Sequence, residues 1–216
     1  MLTKAKPVFF VAWFFLLSLA PITVFSVTPW SLVKDNPSAI ANLVKRLIGL
    51  WAYTLLFIQI VIGAFMTKWI EKFGAWVFNF HVFEGKLIYA LIILHPLAFT
   101  FFYYFLGKGF DPFYSFVDVC ILCKKSLEYY YNFGRISFWF LTIGVSAALF
   151  RATTPFLRAH WHKFHILNYA AFILIFVHSL MLGSDVGTAP FSFIHFPAAL
   201  IVLGIIIWKI KVLLRR

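Results

Sequence analysis

Seven histidines punctuate this 216-residue chain, and four of them form two pairs of nearly equal spacing. His81 and His95 are 14 residues apart, and His165 and His178 are 13 apart, each pair within an apolar stretch. At 1.5 Å per residue these separations are roughly 21 Å and 20 Å along a helix axis. A hydrocarbon core is about 30 Å thick, so each helix sets one imidazole in each leaflet. If the two helices run in the same direction, His81 lies at the depth of His165 and His95 at the depth of His178. Neutral imidazole is a common metal ligand. Two imidazoles at each of two levels are what two six-coordinate haem irons require. Single membrane histidines often only tie helices together by hydrogen bonds, a reading that leaves the matched depths unexplained. One mismatch stands: at about 100° per residue, 14 steps nearly complete whole turns and 13 do not. The spacing therefore predicts either a local bulge in the second of these helices or two ligands at different azimuths.

The rest of the chain must position those histidines. It is 63% hydrophobic and 12% charged, with a mean hydropathy of +0.92, whereas soluble domains are about 25% charged. The solvent is lipid, where backbone polar groups must be satisfied inside each segment by helices or a closed barrel. Long unbroken apolar runs at 87–107 and 166–183 point to helices. The expectation is an all-α, integral membrane six-helix bundle, one domain over 1–216, with spans near 8–27, 45–66, 75–105, 130–150, 161–182 and 191–214. The first run follows Lys4 and Lys6 and exceeds the length of a secretory signal's apolar region, so it reads as an uncleaved helix. A net charge of +12 fits basic membrane edges better than a nucleic-acid partner. With both termini cytoplasmic, twelve lysines and arginines face inward and seven outward, which predicts a multi-pass protein of the cell (inner) membrane in that orientation.

Several other residues have candidate roles around the histidines. Pro96 cannot donate to the carbonyl of Ile92, which leaves that oxygen for the ring N–H of His95 or simply kinks the helix. Haem propionates need cations near helix ends, and Arg46 and Arg135 are the candidates at the outer ends of the second and fourth spans. Gly85, four residues after His81, would give a flat macrocycle room. Glu84 and Lys86 are close enough in sequence to pair with each other. Arg151, Arg158 and Lys163 read as inner-loop charge, and His160 and His162 as loop or interface residues. His195 is either a packing residue or part of an acceptor site. Gln59 has no assigned role.

The stretches His-Val-Phe-Glu-Gly at 81–85, His-Pro-Leu at 95–97, and Trp-His-Lys-Phe-His-Ile-Leu at 161–167 leading to His-Ser-Leu at 178–180 resemble the ferric reductase-like transmembrane family. That family includes ferric-chelate reductases and the haem domains of NADPH oxidases. The resemblance covers roughly 40–210. It implies two b-type haems held by His81 with His165 and His95 with His178, passing electrons from a cytoplasmic flavin to an outer acceptor. The family usually continues into FAD and NADPH domains, and no glycine-rich nucleotide loop is present here. FAD or FMN is therefore expected only on a partner flavoprotein, or the donor is a quinol. The chain is also similar to the haem subunit of the bacterial methionine-sulfoxide reductase system, although that pattern keeps fewer histidines in the third helix.

Cys120-Ile-Leu-Cys123 is followed by Lys124 rather than histidine, so covalent haem attachment is not indicated. It is either a redox-active pair in an oxidising exterior or incidental. Readings of other classes are a histidine relay for protons or metal ions and a haem-bearing anchor that docks a partner enzyme.

Overall fold

A computed structural model describes the backbone of residues 2–215 and the side chains of 6–215. Lys4 and Arg216, both counted among the inward cations, lie outside the described side chains. Among the described residues the fold is all-helical: α1 (Leu2–Val27), α2 (Pro37–Ala64), α3 (Met66–Phe73), α4 (Trp76–Phe105), α5 (Pro112–Phe116), α6 (Ser126–Leu149), α7 (Pro155–His165), α8 (Leu167–Leu182) and α9 (Ser192–Leu214). Five helical stretches are long and apolar enough to cross a membrane: Lys6–Val27, Pro37–Ala64, Trp76–Phe105, Pro155–Leu182 and Ser192–Leu214. This is a multi-pass helical membrane protein. The remaining long helix, α6, has 24 residues but carries Glu128, Asn132, Arg135 and three successive tyrosines in its first half.

Helix starts follow local capping chemistry. Asn36 accepts from the backbone N–H groups of Ser38 and Ala39 at 3.0 and 3.2 Å, and Pro37 occupies the first helical position. That is a standard N-terminal signal, and it starts α2 eight residues before the expected Lys45. Lys45 and Arg46 are therefore inside the helix rather than at its opening. Thr154 caps α7 in the same way through Leu157, ahead of Pro155, so this helix too begins earlier than 161. The amphipathic α3 ends at Gly74, whose φ of 98° is available to glycine without a Cβ clash.

The histidine-bearing segments each have a bracing partner: α2 packs along α4, and α6 packs along α7 and α8. The main core is built chiefly from α1, α2, α8 and α9, with Leu55, Phe172, Phe191 and Val202 fully enclosed. Between α7 and α8 the helix is interrupted at Ile166. Tyr169 N–H bonds to the Ile166 carbonyl at 3.1 Å, three residues back. Such a turn advances about 120° per residue instead of about 100°. The irregularity is thus a tightening, which recovers part of the rotation that 13 ordinary steps lack.

Candidate cofactor-binding site

His95 and His178 come together across the space between α4 and α8, with ring centroids 6.5 Å apart and planes at 82°. His95 Nδ1 donates to the Lys45 carbonyl of α2 at 3.0 Å. His178 Nδ1 donates to the Tyr130 carbonyl of α6 at 2.8 Å. A carbonyl only accepts, so Nδ1 carries the proton in both rings and Nε2 keeps its lone pair. His165 Nδ1 lies 3.3 Å from the Gly144 carbonyl, also on α6, and 3.3 Å from the Asn168 amide. His81 Nδ1 is buried without a protein partner. His81 and His165 lie within electrostatic reach of each other.

A glycine stands opposite three of the four rings. A Cβ on Gly49 would come 2.8 Å from His95, one on Gly134 2.8 Å from His178, and one on Gly63 3.1 Å from His81, while Gly144 faces Asn168 beside His165. The register explains why. A helical side chain covers the turn N-terminal to its own Cα, so a Cβ at 49 would cover the carbonyl of Lys45, and one at 134 that of Tyr130. Glycine four residues after the accepting carbonyl is what bares it to a neighbouring helix. The same device recurs at His81 and Gly85: the Gln59 side chain donates to the His81 carbonyl at 2.8 Å, and a Cβ on Gly85 would stand 2.9 Å from that amide. The room expected at Gly85 for a macrocycle is taken by Gln59.

The ring N–H of His95 does not use the Ile92 carbonyl freed by Pro96; it reaches across to α2. Glu84 does not pair with Lys86 either. It is fully buried and accepts from Trp13 Nε1 of α1 at 2.8 Å, while Lys86 is exposed.

A cavity of about 360 Å³ is lined by His95, His178, Gly49, Gly134, Lys45, Arg46, Arg135 and Asp185, among others. That is within the roughly 300–1,000 Å³ of ordinary ligand and cofactor sites. Its cations are partly committed. Arg46 makes a bidentate pair with Asp185, with Nε–Oδ2 at 2.6 Å, and donates to Thr28 Oγ1 at 2.7 Å. Arg135 is buried, donates to the Tyr114 carbonyl at 2.9 Å and to Asn132 Oδ1 at 3.1 Å, and lies over the Tyr114 ring. Burial, then the hydrogen bond to Glu128, pushes the Tyr114 phenol up to about 12, so it remains a neutral donor beneath that guanidinium. Asp185 was not foreseen. It sits in the short loop between α8 and α9, and nothing in the sequence pairs it with Arg46, 139 residues away.

The other histidines take packing roles. His195 is enclosed between Tyr53 and Phe176 and shares a 2.8 Å hydrogen bond with Ser179 Oγ. His160 bonds back to the Phe156 carbonyl and His162 stacks on Trp161. Cys120 and Cys123 form a disulfide. Among the described residues no group of three or more His, Cys, Asp or Glu side chains could hold a metal ion. His95 and His178 face each other as a pair, and two imidazoles would suit a metal whose remaining ligands come from a planar cofactor. The facing rings of His95 and His178, each with Nδ1 held by a carbonyl, leave two Nε2 atoms that would hold such a group. No protein-family model matches the chain, and no curated protein or solved structure is significantly similar to it.

Proposed function

We propose that this chain carries electrons across a membrane through two b-type haems, one held by His95 and His178 and the other by His81 and His165. The observation that carries this reading is the facing pair His95 and His178, each with Nδ1 tied to a carbonyl on a different bracing helix and Nε2 left to ligate. Haem when bound supplies reversible one-electron chemistry at iron, with a potential set by axial ligands and surroundings.

What this chain's own residues contribute is position and environment. The Lys45 and Tyr130 carbonyls orient the two imidazoles and raise their basicity. Gly49 and Gly134 keep those carbonyls reachable. The cavity's cations, Lys45, Arg46 and Arg135, offer charge to carboxylates of a bound cofactor, and Asp185 holds Arg46 at the cavity edge. The apolar helices exclude water from the path. The residues fit two axial pairs better than a protein-only metal site, which would need more ligands per level.

In this reading α6 is the remaining crossing, giving six spans. Both termini face the cytoplasm of a cell (inner) membrane protein, and the haem at His95 and His178 is the outer one. The donor is a flavin-bearing partner or a quinol and the acceptor lies outside, as in the ferric reductase-like family that the histidine motifs resemble. The pairing of histidines by level, without a third ligand, favours this over a relay of protons or metal ions. The test is the absorption spectrum of the purified protein from haem-replete cells. Two haems per chain, with a reduced Soret and α-band, support the reading. Colourless protein overturns it.

A further inference from the structure

We propose that Cys120–Cys123 is a thiol–disulfide exchange site whose reactive sulfur is stabilised by Asn132, and whose partner is a protein dithiol on the side of the membrane nearer His95 and His178. The disulfide closes a four-residue loop between α5 and α6. Its two intervening residues, Ile121 and Leu122, are 88% and 90% exposed, so the loop tip is open to a partner's apolar contact. Behind it stands Asn132, only 5% exposed. Its side chain is oriented without ambiguity. Oδ1 must be the atom facing Arg135 Nη1 at 3.1 Å, because arginine only donates. Nδ2 then donates to the Cys120 carbonyl at 2.6 Å and lies 3.5 and 3.4 Å from the two sulfurs.

A disulfide sulfur is a poor acceptor and a thiolate a good one, so this buried donor gains most when the S–S bond is open. Arg135, bonded to the amide oxygen, polarises it further in that sense, and Lys124 and Lys125 follow directly in sequence. These are the surroundings that favour a thiolate. The step balances as an exchange. A thiolate of the partner attacks one sulfur, the S–S bond breaks, a mixed disulfide forms, and the other cysteine leaves as a thiolate facing Asn132. The partner's second thiol then displaces the bound cysteine. Two electrons enter the Cys120/Cys123 pair, the partner departs as a disulfide, and its two protons pass to the cysteines or to water.

The full-length protein in detergent micelles is equilibrated with mixtures of reduced and oxidised dithiothreitol. Free thiols are then capped with a maleimide polymer and counted by gel shift. The expected result is reversible opening of both sulfurs without denaturant, and an Asn132→Ala protein that needs about tenfold more reduced reagent for half-opening, the scale of one hydrogen bond to a charged group. Asn132→Asp keeps the side chain's size, removes the donor and must shift the same way, which decides the matter if the alanine protein does not fold. A pair that stays closed until denaturant is added, or an Asn132 variant that titrates like the parent, overturns the proposal. The thiol count is the same measurement with or without haem, so its failure is distinct from failure of the electron-transfer reading.

Discussion

A methyl group on Gly49 would stand 2.8 Å from His95 Cε1 and 3.0 Å from its Nδ1, closer than real carbon contacts allow. The ring is fixed there by its bond to Lys45, so it has little freedom to give way. Gly49→Ala should therefore lift His95 off the carbonyl and weaken cofactor binding at that level by about 10–100-fold, the usual effect of losing a ligand's orienting partner. Gly134→Ala should do the same through His178. Gly204 meets nothing within 4 Å, so Gly204→Ala serves as the control. Haem per chain, read from the reduced spectrum, should fall from two toward one in the first two variants and stay at two in the third.

Gly85→Ala should behave differently although the clearance is similar. The atom that its Cβ would meet is Gln59 Nε2, the far end of a flexible side chain. Gln59 can swing away at the loss of one hydrogen bond to the His81 carbonyl, about 1 kcal/mol. The expected outcome is two retained haems and a slightly lowered apparent Tm. Loss of a haem would mean that Gly85 faces the cofactor after all.

Arg46 and Asp185 form a bidentate pair in which Asp185 is 2% exposed. Asp185→Asn removes one charge and leaves Arg46 largely buried without its counterion, which typically destabilises a protein by about 3–5 kcal/mol. Removing both charges, Arg46→Gln with Asp185→Asn, should recover part of that loss. Thermal unfolding in micelles of the two single variants and the double variant measures the coupling. Equal and additive losses would show that the pair contributes no coupling.

The helical class, the apolar stretches and the histidine spacing were legible because periodicity and composition are local properties of the chain. The bracing was not. Lys45 and Tyr130 act through backbone carbonyls, which no side-chain motif advertises, and Gly49 and Gly134 matter only because another helix happens to approach at that height. Asn36-Pro37 is a readable helix start, and the polar 34–38 stretch around it reads equally as a turn. Asp185 lies 139 residues from Arg46, a contact that only tertiary packing creates. Asn132 follows three tyrosines with no motif around it, and only the packing of α6 sets it against the Cys120–Cys123 loop.

The tightened turn at Ile166 sets how His165 is aimed relative to His178. Inserting one alanine after Ile166 would rotate the α7 segment by about 100° about the helix axis relative to α8, turning His165 away from the Gly144 carbonyl. His178 should keep its place, since α8 remains pinned to α6 by the His178–Tyr130 bond and held by the fully buried Ala171 and Phe172. The expected protein therefore binds haem at the His95/His178 level and not at the other. A reductive titration followed at the α-band should show one transition where the parent shows two. Two surviving transitions would mean that His165 is not an axial ligand, and the assignment of the second level would fall while that of the first stood.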